Sequence, residues 1–196
     1  VAALDIPRYK ALLRERLPEK RLLHTLSVAQ QALLIGQVAG LDPAELETAG
    51  LLHDICRTLD NTAMLQRAME YEIPLNDFTI DHPMLLHGPV AAEYCRRALG
   101  VENDAIYQAI YWHTTGCPHL GRLGQALYMA DFSEPLRSYP EAAAMREVFA
   151  RDGFDAALLY TARKKVEFAQ KKAKFHPASQ AFLAWIESGM PAAPED

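Results

Sequence analysis

The chain has 196 residues, half of them hydrophobic and 23% charged, a balance that excludes a disordered chain and suits one well-cored domain. No apolar run approaches the roughly 18 residues needed to cross a bilayer, and the sequence opens with no secretory pattern, which argues against a membrane partner. Net charge is −5, yet Arg163, Lys164, Lys165, Lys171, Lys172 and Lys174 fall together with Glu167 as the one acidic residue among them. A basic segment on an acidic body points to a local polyanion contact or a solvated helix face, and away from general nucleic-acid binding. Cys56, Cys95 and Cys117 are scattered and form no C-x-x-C pair. That favours a reducing, cytoplasmic setting and argues against a thiolate zinc site.

In chain order nearly every segment reads as helix. Asp5 and Pro7 open the first and Pro18 closes it. Leu22, Leu26, Ala29 and Leu33 keep helical spacing through a second, from 19 to about 40. Asp42-Pro43-Ala44-Glu45 is a cap, a first-turn proline and a glutamate three on, opening a helix that is expected to reach about Cys56. A short helix follows Asp60 through Tyr71, and 73–83, with Pro74, Asn76, Asp77 and Pro83, reads as a loop. Gly88-Pro89 starts a helix ending at Gly100, and Asn103 or Asp104 caps one ending at His113. Helices are expected over 120–132, 140–151, 154 to about 172, and 179–186. No strand-like alternation, repeat or linker is found, so the fold class is all-α in one domain, residues 1–190, with 191–196 a disordered tail.

Four ionisable residues stand out in this apolar, helix-periodic sequence: His24, the adjacent pair His53-Asp54, and Asp131. Each alone is a costly group to bury unpaired. Two imidazoles and two carboxylates sharing a cation relieve one another, and such N/O donors suit Fe, Mn, Co or Zn better than Ca or Mg. Neighbouring side chains on a helix diverge by about 100°, so His53 and Asp54 converge on an ion beside their helix while His24 and Asp131 arrive from others. His87 and His113 sit at expected helix ends. Each can serve as a second metal's ligand or a phosphate partner, and His113 can simply answer the negative end of its helix. His82 and His119 read as surface residues.

A His, then an adjacent His-Asp, then a distant Asp in a helical domain resembles the HD superfamily of metal-dependent phosphohydrolases. Arg21-Leu22-Leu23-His24-Thr25, Leu86-His87-Gly88, His113-Thr114-Thr115-Gly116 and the run from Tyr128 through Asp131 and Ser133-Glu134-Pro135 to Arg137 resemble its YqeK-type branch. Those proteins are described as symmetrical dinucleoside tetraphosphatases, which split diadenosine tetraphosphate into two ADP. The resemblance runs from about residue 10 to 186. It implies an HD-type helical bundle with iron held by His24, His53, Asp54 and Asp131, and His53, Asp54 and His87 as the catalytic set. It implies phosphate contacts from His87, His113, Thr114 and Arg137, and a segment at Lys174, Phe175 and His176 enclosing the nucleotide, where Phe175 and His176 stack a base. Arg57 stands where the family usually has lysine, keeping the charge but offering a planar fork. Ala178-Ser179 replaces an acidic residue and threonine.

A dinucleoside polyphosphate repels an attacking anion. A bound divalent ion lowers the pKa of water and offsets phosphoryl charge, while Arg57 and Arg137 suit bidentate phosphate contacts. The open alternatives are an HD-type hydrolase of nucleoside mono- or triphosphates or of a guanosine alarmone, a non-catalytic nucleotide-binding module, and an HD-type di-iron oxygenase. A homodimer is the default assembly.

Overall fold

A computed structural model describes residues 4–172 and 176–193. Among the described residues there are eleven α-helices and no strand. They are α1 Ile6–Arg16, α2 Glu19–Val38, α3 Pro43–Leu52, α4 Asn61–Glu70, α5 Asp77–Asp81, α6 His87–Leu99, α7 Asp104–Trp112, α8 Arg122–Ser133, α9 Pro140–Asp152, α10 Phe154–Lys171 and α11 Pro177–Glu187, with a 3-10 turn at Pro83–Leu86. Their starts follow local chemistry. The side chains of Asp5, Asp42, Asp60 and Asn103 each accept a hydrogen bond from the backbone N–H three residues on, at 3.0, 3.0, 2.8 and 3.1 Å.

The centre of the molecule is the crossing of α2, α3 and α8, flanked by α7. Val28, Ile35, Leu46, Leu51, Leu52, Leu127 and Met129 are essentially inaccessible there, each such burial contributing roughly 1.5–3 kcal/mol. Two glycines set how closely the helices that carry the site approach one another. A Cβ on Gly50 would stand 2.5 Å from Ala29 Cα, so α3 lies almost backbone to backbone on α2. A Cβ on Gly88 would stand 2.7 Å from the Tyr111 carbonyl oxygen, which brings the start of α6 onto the end of α7.

Three local expectations are corrected. First, α3 stops at Leu52 and 53–58 continues as tight turns, not as helix to Cys56. The Gly50 carbonyl, which a continuing helix would offer to the Asp54 N–H, accepts from His53 Nδ1 at 2.7 Å, and the bonds that follow span three residues, Ile55 to Leu52 and Arg57 to Asp54. Second, the stretch 73–83 contains α5. Asn76 and Thr79 cap each other reciprocally, a device that holds a five-residue helix too short to display a hydrophobic period. Third, His87 opens α6 instead of ending a helix, while His113 is the C-cap of α7 as expected.

Candidate metal centre and phosphate cleft

His24 comes from the second turn of α2, His53 and Asp54 from the turn after α3, and Asp131 from the last turn of α8. Their donor atoms meet. His24 Nε2 lies 3.3 Å from Asp131 Oδ1 and 3.7 Å from Asp54 Oδ2, and His53 Nε2 lies 3.7 and 3.9 Å from Asp54 Oδ2 and Asp131 Oδ1. Donors around an ion at about 2.1 Å stand roughly 3–3.5 Å apart, so this cluster needs only slight closure to hold one.

The other ring nitrogens are already engaged. His53 Nδ1 donates to Gly50 O, and His24 Nδ1 donates to Glu134 Oε1 at 3.0 Å. Each imidazole thus keeps its Nε2 lone pair turned inward, the arrangement in which an outer partner orients a metal-binding histidine. Among the described residues, nothing hydrogen-bonds the buried Nε2 atoms of His24 and His53. Buried nitrogen atoms left unpaired are costly, and a divalent cation satisfies both. The donor set therefore fits a metal ion.

A second group adjoins the first. His87 Nε2 and His113 Nε2 face each other at 2.9 Å, and both lie near Asp54 Oδ1, at 3.4 and 3.8 Å. Their Nδ1 atoms donate to Met84 O and Ile110 O at 2.5 and 2.7 Å. Two inward lone pairs repel each other and repel phosphate oxygens, so this pair calls for a shared proton or a second cation. Asp54 spans the two groups, one oxygen toward each. Thr114 Oγ1 sits 3.2 Å from both Nε2 atoms.

The electrostatics agree. Burial works against charge on Asp54, but His53, His87 and His113 around it hold its carboxyl well below the usual range. Burial likewise opposes charge on Asp131, yet the close approach of His24 and the charges of Arg137 and Lys165 keep it far down. Burial depresses His53, His87 and His113. For His24 burial is outweighed by Asp131 and Glu134 and the pKa rises. The centre draws positive charge toward His24 and its two carboxylates.

Beside the centre opens a cleft of about 840 Å³ lined by Lys20, Arg21, His24, Arg57, Thr58, Arg137, Ser138 and Tyr139. Arg57 and Arg137 both line it. Arg137 also donates to Asp131 Oδ1 at 2.7 Å and to Asp131 O at 3.1 Å. His176 caps α11, its Nδ1 accepting from Ala178 N, and its ring meets the edge of Phe78 at 5.6 Å. Lys174 and Phe175 lie outside the described residues.

Sequence reasoning assigned no role to three residues that touch the donors. Arg21, one turn before His24, donates to Asp54 Oδ2 at 2.7 Å, and its three-residue spacing from His24 was the available signal. Glu134, only 1% exposed, orients His24. Lys165 donates to the His113 carbonyl at 2.9 Å, and burial pulls its pKa down to about 8.

The HD domain family matches residues 21–152, a span that carries all four of His24, His53, Asp54 and Asp131. The chain belongs to that family. It is 32% identical over 170 residues, 86% of this chain and 87% of the relative, to the bis(5'-nucleosyl)-tetraphosphatase, symmetrical, of Staphylococcus aureus. It is 30% identical over 181 residues, 91% of this chain and 96% of the relative, to the protein of the same name from Bacillus subtilis. The crystal structure of a predicted HD superfamily hydrolase involved in NAD metabolism from Clostridium acetobutylicum matches with a TM-score of 0.89 at 25% identity, covering 96% of this chain and 100% of that one.

Proposed function

We propose that this chain is a metal-dependent hydrolase that cleaves dinucleoside tetraphosphates, diadenosine tetraphosphate among them, symmetrically into two nucleoside diphosphates. The observation that carries the reading is the pair of partnerless Nε2 atoms of His24 and His53, facing Asp54 and Asp131 at the edge of an arginine-lined cleft. The names of relatives that align over most of the chain agree with it. His24, His53, Asp54 and Asp131 hold a divalent ion, iron in our reading, with manganese, cobalt and zinc suited to the same donors. When bound, such an ion lowers the pKa of water and offsets charge on the attacked phosphoryl group.

The side chains supply grip and orientation. Arg57 and Arg137 offer guanidinium forks to the polyphosphate, with bidentate geometry that fixes its register. Thr114 Oγ1, at the edge of the second group, donates to a phosphate oxygen. His87 and His113, with Asp54 beside them, would hold a second cation that offsets phosphate charge, because neutral rings with protonated Nδ1 cannot donate from Nε2. His176 borders the base, and a single aromatic stack there contributes roughly 1–3 kcal/mol with little base preference. The protein works in the cytoplasm on small nucleotides, without nucleic acid or membrane, as a monomer or homodimer.

The test is product identity. Protein loaded with iron or manganese should convert diadenosine tetraphosphate to ADP alone and accept guanosine analogues. In isotopic water, label should enter the terminal phosphate of one of the two ADP molecules. ATP plus AMP would mean an asymmetric hydrolase, and fully metallated protein without turnover would mean a binding module or another substrate.

A further inference from the structure

The basic run on α10 does not form one face. Arg163 pairs with Glu187 at 2.9 Å, Lys164 pairs with Glu167 at 2.8 Å, and Lys171 and Lys172 are exposed. Among the described members of the run, Lys165 is the one turned inward, its side chain only 17% exposed. The ammonium lies 3.8 Å from the Tyr128 ring centroid, donates to the His113 carbonyl, and stands 3.9 Å from Asp131 Oδ2. It thereby touches both halves of the donor cluster. It also comes from a helix beyond the residues 21–152 that match the HD domain family.

Asp131 is consequently flanked on both oxygens. Oδ1 faces His24 Nε2 and Arg137, and Oδ2 faces Lys165. We propose that Lys165 is a positioning residue that tunes the centre electrostatically: its ammonium, held by the His113 carbonyl and the Tyr128 ring at 3.9 Å from Asp131 Oδ2, keeps the ion loosely held and strongly polarising. The inference rests on Asp131 being a ligand, as proposed above. A cation fixed within several ångströms of a divalent ion opposes its binding in a medium of low effective permittivity. The same cation draws electron density from the shared carboxylate, so the ligand donates less and the ion polarises its surroundings more. A lysine that acted only as a tether would have the opposite signature, because losing it would disorder Asp131 and weaken the ion.

The sign of the change in metal affinity decides the matter. Lys165→Gln keeps an N–H donor for the His113 carbonyl and removes the charge, whereas Lys165→Arg keeps the charge. Calorimetric titration of Mn2+ into chelator-stripped protein should give Lys165→Gln a dissociation constant at least about tenfold lower than the parent, and Lys165→Arg one within about threefold of it. The kcat of Lys165→Gln should fall while KM for the nucleotide stays within about twofold. Equal or weaker Mn2+ binding by Lys165→Gln overturns the proposal, and so does a large rise in KM at unchanged kcat, which would make Lys165 a substrate contact. Should Lys165→Gln fail to fold, Lys165→Met, whose apolar stem preserves the packing on Tyr128, carries the same expected sign. Parent protein that takes up no Mn2+ would overturn the metal reading itself, an outcome visible before any variant is compared.

Discussion

Two regions of this molecule bring polar side chains together between helices, and they treat them in opposite ways. Along the α6–α7 seam Glu93 accepts from the Tyr107 hydroxyl at 2.6 Å and from Arg97 Nε at 2.8 Å, and Arg97 also donates to the Tyr71 carbonyl at 3.2 Å. Each carboxylate oxygen of Glu93 has a partner. In the donor cluster of α2, α3 and α8, the outer nitrogens of His24 and His53 are satisfied and the inner ones are not. A finished network holds helices together. One finished on the outside and open on the inside is oriented for something else, and its cost in the folded chain is recovered only when a cation binds.

The largest break in that comparison comes from removing a donor. His53→Ala and Asp54→Ala should each lose bound metal and lower turnover by more than about a hundredfold, since even partners of metal ligands cost 10–100-fold. Metal analysis of protein purified without chelator, run beside turnover, checks it. Stoichiometric metal with unchanged turnover in both variants would put the cluster in the same class as the α6–α7 seam.

A smaller effect is expected from Arg137→Ala. A charge-assisted hydrogen bond to phosphate contributes about 1.5–3 kcal/mol, roughly ten- to a hundredfold in kcat/KM, appearing mainly in KM. Metal content should stay near normal. Because Arg137 also holds Asp131 through two hydrogen bonds, loss of metal in this variant would reassign it from gripping substrate to orienting a ligand. Less than a twofold change would leave it a structural partner of Asp131 or a surface residue, without a grip on substrate.

What the sequence made legible follows from the same contrast. His24, His53, Asp54 and Asp131 announce themselves because a titratable group among apolar neighbours is expensive, and four of them invite one explanation. Helices with capping residues and prolines were equally legible, and α1 and α7 begin at the residues their caps specify. The end of α3 was not, because it depends on the His53 ring taking the Gly50 carbonyl, a choice that no spacing reveals. Glu134 carries no signal of its own, since its importance lies in which side chain it meets across the bundle, and Arg21 is marked only by standing three residues before His24. Lys165 was hidden among cations. Composition counted its charge with five others, and only the packing of α10 on α8 and on the end of α7 distinguishes it.

The smallest prediction tests the finished side of the comparison. Glu93→Gln leaves Tyr107 and Arg97 with a weaker, neutral acceptor, which should cost about 1 kcal/mol at neutral pH and leave metal content and turnover unchanged. Burial opposes ionisation of Glu93, but the Tyr107 hydroxyl and the Arg97 guanidinium outweigh it and hold the carboxyl below its ordinary value of 4.5. A group whose pKa is depressed on folding binds fewer protons folded than unfolded, so its stabilisation is present above the unfolded value and fades as pH falls through the folded one. The stability gap between parent and variant should therefore be full at pH 7, begin to narrow below about 4.5, and close in stronger acid. Denaturant midpoints across that range measure it. A gap independent of pH would mean that the Glu93 charge contributes nothing and that shape alone holds the seam. A loss of metal in Glu93→Gln would mean that the two polar regions are coupled through α6, whose first residue is His87, and that the seam sets the position of the second imidazole pair.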